Sequence, residues 1–189
     1  DDKFLLQSEF RKKNINSDYI VDLSQFVSSD ESSKGHLFYN FKKDYVNKSS
    51  DNVELNIQLE HVSDDTYLKT YKIESPIIND TSILSNSIGI SHSNNTQSLD
   101  TNIDVYKDLS KTDSDKYEYA PNFYFSKILN DNFVFNSEGY YKNYNTNITE
   151  KILINDFEYS STPIYFEKGL INQKKLLIKN INSEAKNSQ

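Results

Sequence analysis

The chain has 189 residues, no cysteine and a formal net charge of −7, which excludes disulfides, thiolate metal sites and a cysteine nucleophile. A nucleic-acid partner is not expected, because tracking phosphates needs a basic face and the basic residues come in short runs such as Lys42-Lys43 and Lys174-Lys175. Hydrophobic residues are 35% of the chain, but 14 Tyr and 11 Phe are too many for a disordered one.

Taken in order, the chain alternates with a period of two. Phe4, Leu6 and Phe10 alternate with Gln7, Glu9 and Arg11, then Tyr19, Val21 and Leu23 with Asp22 and Ser24. Leu37, Tyr39, Phe41 and Tyr45 share one face against Asn40, Lys42 and Asp44, with Phe38 off pattern. The cleanest strand sets Val53, Leu55, Ile57 and Leu59 against Glu54, Asn56, Gln58 and Glu60. A long connection follows, to about Asp80. Beyond it, Leu84, Ile88 and Ile90 form one face, and Leu99, Ile103 and Val105 face away from Asp100, Asn102 and Asp104. Tyr117, Tyr119, Phe123 and Phe125, then Phe133, Phe135 and Tyr141, continue the pattern, and a further strand is expected over 150–159. Ser161-Thr162-Pro163 turns the chain before two apolar patches, 164–166 and 176–181. Asn182 to Gln189 is polar and expected to fray.

No helical period is sustained. The expectation is a single all-β segment, residues 1–189, of about nine or ten antiparallel up-and-down strands of roughly eight to twelve residues, longer than most globular strands. No apolar run is long enough for a membrane helix, a test that alternating barrel strands escape. Such strands fit either a soluble sandwich or part of an outer-membrane β-barrel. Three features favour the barrel. Tyr45, Tyr106, Tyr117, Tyr144 and Tyr159 lie near strand ends, where an interfacial girdle sits. Turns near Lys13, Asn94 and Asn130 are short while those near Ser29 and Asp65 are longer, which would put the connection after Ser63 outside. The core is poor in leucine. In a barrel, Asn40, Lys42, Glu54, Asn56, Gln58, Glu60, Asp100, Asn102 and Asp104 would line the lumen. Leu37, Tyr39, Phe41, Val53, Leu55, Ile57 and Leu59 would face lipid.

The stretch Glu60 to Tyr71 is more particular than turn chemistry requires. Ser63, Asp64, Asp65 and Thr66 suit a loop, but Tyr67, Leu68 and Tyr71 are spaced to return aromatic and apolar groups to a surface. As a sequence, Val62-Ser63-Asp64-Asp65-Thr66-Tyr67-Leu68-Lys69-Thr70-Tyr71 resembles the V-S-D-x-x-Y-L-x-x-Y signature of the LptD family, the lipopolysaccharide-assembly outer-membrane proteins. The resemblance extends in layout from about Gly35 to Ser160, including a Pro before alternating aromatics at Pro121-Asn122-Phe123-Tyr124-Phe125. It implies a central part of the β-barrel of a translocon that inserts lipopolysaccharide into the outer leaflet of the cell outer membrane. The implied partners are lipopolysaccharide, the plug lipoprotein LptE and a periplasmic lipopolysaccharide bridge protein. The family's periplasmic jelly-roll and cysteines have no counterpart in this chain. The alternative is a soluble or secreted β-sandwich or barrel acting as a binding or adhesion module.

Catalytic residues, cofactors and metals are not expected. His36, His61 and His92 lack metal-ligand spacing and read as polar residues near strand ends. Asp64-Asp65 suits acid–base chemistry only with a partner that no spacing supplies, and otherwise reads as a pair bonding loop amides.

Overall fold

The computed structural model describes residues 3–29, 32–46, 51–111, 117–144 and 148–187. Period-two alternation resolves into ten long strands. They are β1 (Lys3–Lys13), β2 (Ser17–Ser28), β3 (Lys34–Val46), β4 (Asn52–Val62), β5 (Ile83–Ser93), β6 (Gln97–Asp108), β7 (Tyr117–Asn130), β8 (Phe133–Tyr144), β9 (Ile148–Ser160) and β12 (Lys175–Asn187). Each is 11 to 14 residues long. They pair in chain order in one antiparallel sheet, with a two-stranded hairpin, β10 (Ile164–Tyr165) and β11 (Ile171–Asn172), between β9 and β12. A one-turn helix, α1 (Tyr67–Thr70), lies in the connection from β4 to β5. The sheet is open: β1 and β12 are its edges.

Register sorts the side chains onto two faces. Asn40 lies opposite Gln58, Gln58 opposite Ser87 and Ser87 opposite Asp104; Lys42, Asn56, Gly89 and Asn102 form the next row, and Glu54, Ser91 and Asp100 a third. Glu60, opposite Phe38, shares this polar face. The other face carries Leu37, Tyr39 opposite Leu59, Phe41 opposite Ile57, Tyr45 opposite Val53, and Leu55 opposite Ile90. The two residue sets expected to face lumen and lipid thus separate cleanly. The apolar face is bare: Leu37, Ile88 and Ile103 are 50%, 51% and 56% exposed.

The one buried cluster among the described residues lies elsewhere. Phe26, Phe38 and Val62 of β2, β3 and β4 pack under Tyr67, Leu68, Ile73 and Ile77 of the β4–β5 connection, and Leu84 and Leu109 are buried with them. Phe26, Phe38 and Val62 belong by register to the polar face, so the connection is seated on that face rather than extended away from it.

Three sequence expectations change. Leu84 does not share the bare surface of Ile88 and Ile90; the β4–β5 ladder stops at Gln58 and Ser87, and β5 beyond it turns into the buried cluster. Tyr106 lies opposite Ser85 and Glu118, on the polar face, so it belongs to no girdle on the apolar one; the side chain of Tyr144 lies outside the described residues. Asn182–Asn187 does not fray. It pairs with Ile148–Leu153 of β9, and Lys151 Nζ holds Glu184 Oε2 at 2.5 Å. Ladder hydrogen bonds are indifferent to side-chain polarity, which is why hydropathy misplaced this end. Residues 188 and 189 of the expected tail lie outside the described residues.

Candidate functional site

The site is the seat of the β4–β5 connection on β2, β3 and β4. Gly35 makes the sheet tight there: a Cβ at this position would meet the Ser24 carbonyl oxygen at 2.3 Å. The connection begins by prolonging the ladder, Ser63 N–H donating to Gly35 O at 3.0 Å while Ser63 Oγ accepts Gly35 N–H at 2.8 Å. Asp64 Oδ1 then accepts the Thr66 N–H (2.9 Å) and hydroxyl (2.6 Å), the turn that starts α1. These bonds, with Lys34 Nζ 3.4 Å from Asp64 Oδ2, hold the Asp64 carboxyl below the ordinary carboxylate range, the Thr66 hydroxyl contributing most. Asp65 is bound from the far side by Lys107 Nζ at 2.7 Å.

The helix closes with a Schellman arrangement. Ile73 N–H reaches back to Leu68 O at 3.0 Å, and Lys72 takes the left-handed conformation (φ 49°) needed at that position. The accompanying contact between Leu68 and Ile73 is buried. Tyr71 completes the seat with its ring 4.5 Å from that of Phe26 and 5.0 Å from that of Tyr67.

Beneath Tyr67 runs a buried chain of polar groups. Tyr67 OH is 2.6 Å from Ser24 Oγ, which is 2.6 Å from His36 Nδ1. His36 Nε2 lies 3.2 Å from Asp22 Oδ1, off the line of a proper hydrogen bond. Gln7 Nε2 caps the far end, donating to Asp22 Oδ1 at 3.2 Å and to the Glu74 carbonyl at 2.9 Å. The geometry suits the tautomer with the imidazole proton on Nε2, the nitrogen that faces Asp22. Nδ1 therefore accepts from Ser24, and Ser24 accepts from Tyr67. Burial pushes the Tyr67 phenol up, so it stays a donor.

Asp, His and Ser in sequence of contact are the residue types of a nucleophilic triad, but the arrangement differs. Ser24 meets Nδ1 rather than Nε2, its remaining side is taken by Tyr67, and Asp22 and the His36 side chain are fully buried. A substrate carbonyl has no approach to this hydroxyl. What the chain of contacts does is fasten the connection to β1, β2 and β3, pairing the buried Tyr67, Ser24 and Asp22 oxygens. Glu60 performs a similar task where the β4–β5 ladder ends. Its carboxylate accepts Ser85 N–H and Gln58 Nε2–H, each at 2.7 Å, and its own N–H donates to Asn86 Oδ1 at 2.8 Å.

No protein-family model matches the chain, and no curated protein or solved structure matches it significantly. The site is therefore read from its own chemistry.

Of the residues singled out from sequence, Val62, Tyr67 and Leu68 are buried together and Tyr71 packs beside them. Ser63, Asp64 and Asp65 form the rim described above. Asp22, Ser24, His36 and Gln7 were missed as a group, because what unites them is the register that sets Ser24 opposite His36 and Gln7 opposite Ser24. One signal pointed there: Ile20, Phe26 and Phe38 are apolar residues at polar-face positions, the mark of a covered patch. His61 is exposed, and His92 sits 3.7 Å from Asp51. Among the described residues no group of three or more His, Cys, Asp or Glu is arranged to hold a metal.

Proposed function

We propose that this chain is part of the wall of an outer-membrane β-barrel that takes part in inserting lipopolysaccharide into the outer leaflet. The observation that carries the wall is an inversion of the soluble pattern. In a water-soluble antiparallel sheet the covered face is apolar and the bare face polar. Here the connection covers one end of the polar face, over Phe26, Phe38 and Val62, while the apolar face, from Leu23 and Leu37 to Ile88 and Ile103, is bare. A hydrocarbon phase is the solvent that suits such a face, and the polar face then lines an aqueous interior. The wall closes when the edges of β1 and β12 find strand partners.

The role in lipopolysaccharide insertion rests on the resemblance of Val62–Tyr71 to the LptD signature. In this reading lipopolysaccharide passes along the polar face, and LptE and the periplasmic bridge protein are partners of the assembled barrel. A neutral-to-acidic lining must accommodate an anionic headgroup, for which polar groups such as Asn56, Gln58 and Asn102 serve better than the carboxylates beside them.

The test uses single cysteines along β4 in the intact protein in its membrane. A water-soluble reagent should label positions 54, 56 and 58, and a quencher confined to lipid should reach labels at 53, 55 and 57. If the quencher reaches none of these, the apolar face is buried against protein and a soluble binding or adhesion module replaces the wall. A photocrosslinker at Gln58 should capture lipopolysaccharide during export and one at Ile57 should not; equal capture at both would remove the transport role while leaving the wall.

A further inference from the structure

The apolar face is indented where β6 to β9 meet β12. The indentation follows one cross-strand row: Thr101 lies opposite Phe123, Phe123 opposite Gly139, Gly139 opposite Leu153 and Leu153 opposite Asn182. Gly139 lines its floor, with the Phe123 ring edge close by. A Cβ there would meet Phe123 Cε1 at 2.8 Å and the Ile152 carbonyl oxygen at 2.9 Å. The groove encloses about 570 Å³ between mostly apolar walls. Four interstrand intervals make it about 19 Å long.

One side of the groove is charged. Lys151 and Glu184 line it, their ion pair at 2.5 Å, and Lys186 Nζ binds the same Glu184 at 2.6 Å. Two ammonium groups share one carboxylate, leaving one positive charge in excess at this side of the groove. These residues lie toward the first end of β9, at Ile148, and the last end of β12, where the depth-dependent cost of charge on a lipid-facing wall is smallest.

We propose that this groove is a binding site for an anionic membrane lipid, one acyl chain lying along the row from Thr101 to Asn182 and the headgroup on Lys151 and Lys186. The proposal rests on the wall reading given above. Because barrel strands are tilted by about 35–45°, a row that crosses them runs obliquely through the membrane, an orientation an acyl chain adopts without leaving the hydrocarbon. Glu184 sets the selectivity: it neutralises one lysine, so a zwitterionic headgroup gains little while an anionic one meets the uncompensated charge.

The experiment uses the intact protein carrying Thr101→Cys or Leu55→Cys, labelled with bimane and reconstituted in phosphatidylcholine vesicles. Brominated phosphatidylglycerol or brominated phosphatidylcholine is then titrated in. At Leu55, on the same face but outside the groove, both lipids should quench alike. At Thr101 the anionic lipid should quench at a mole fraction lower by about fivefold, the worth of one uncompensated lysine near a membrane surface. Lys151→Gln with Lys186→Gln should abolish that difference without altering quenching at Leu55. Equal quenching by both lipids at Thr101, or none there, overturns the lipid site and leaves the wall. Absence of quenching at Leu55 overturns the wall itself.

Discussion

Tyr67 contributes twice to seating the connection. Its ring joins Phe38 and Leu68 in the buried cluster, and its hydroxyl ends the polar chain through Ser24 and His36 to Asp22. Removing only the hydroxyl leaves Ser24 still bonded to His36, so Tyr67→Phe should cost about 1–3 kcal/mol, the range for a buried hydrogen-bond partner left unmatched. Tyr67→Ala also deletes the ring and should cost about 3–5 kcal/mol. Hydrogen exchange reads both: amides of residues 67–73 should exchange faster in proportion, while β7 and β8 keep their protection. If Tyr67→Phe leaves that segment unchanged, the polar chain does not fasten it. At this scale the sequence revealed the tyrosine but not its partners. Tyr67 stood out because a solvent loop has no use for it, whereas Ser24 and His36 are ordinary strand residues until pairing puts them side by side.

The connection from β4 to β5 acts as one element because each part is anchored separately. Ser63 is bonded to Gly35, Asp64 to Thr66, Asp65 to Lys107, and Leu68 to Ile73 across the helix end. Asp64 makes its start sensitive to acid. Its carboxyl is held below the ordinary range, so it stabilises the turn fully above the unfolded-state value near 4 and loses that contribution as the pH falls through the lower folded value. Exchange protection of the Thr66 amide should therefore be flat from neutral pH down to about pH 5 and fall only below about pH 4. A fall already complete at pH 5 would mean that another group controls the turn. The strands were legible as elements because their alternation is sustained. The one-turn helix was not, since four residues are too few to display a helical period, and its stop at Lys72 uses a left-handed residue without the glycine that would announce it.

For the whole molecule, the decisive property is that the loop settles on one end of the polar face while the apolar face stays bare. Ile57 occupies the middle of that bare face, between Phe41 and Ile88. Under the proposed wall reading, Ile57→Lys should destabilise the inserted barrel by about 2–4 kcal/mol if the residue lies at the bilayer midplane. Gln58→Lys, one residue along on the opposite face, should cost far less. Folding into vesicles, followed by urea titration, measures both; equal costs would contradict a lipid-facing Ile57. Alternation by itself determined that the chain is all-β, that its strands run up and down, and which residues share a face, because side-chain direction in a strand depends only on parity. The sequence could not determine which face is covered, or that Asp22, Ser24, His36 and Tyr67 meet. Those depend on interstrand register and on where a 20-residue connection (63–82) comes to rest, and both are settled only when distant strands pair and the loop buries its apolar side chains against Phe26 and Phe38.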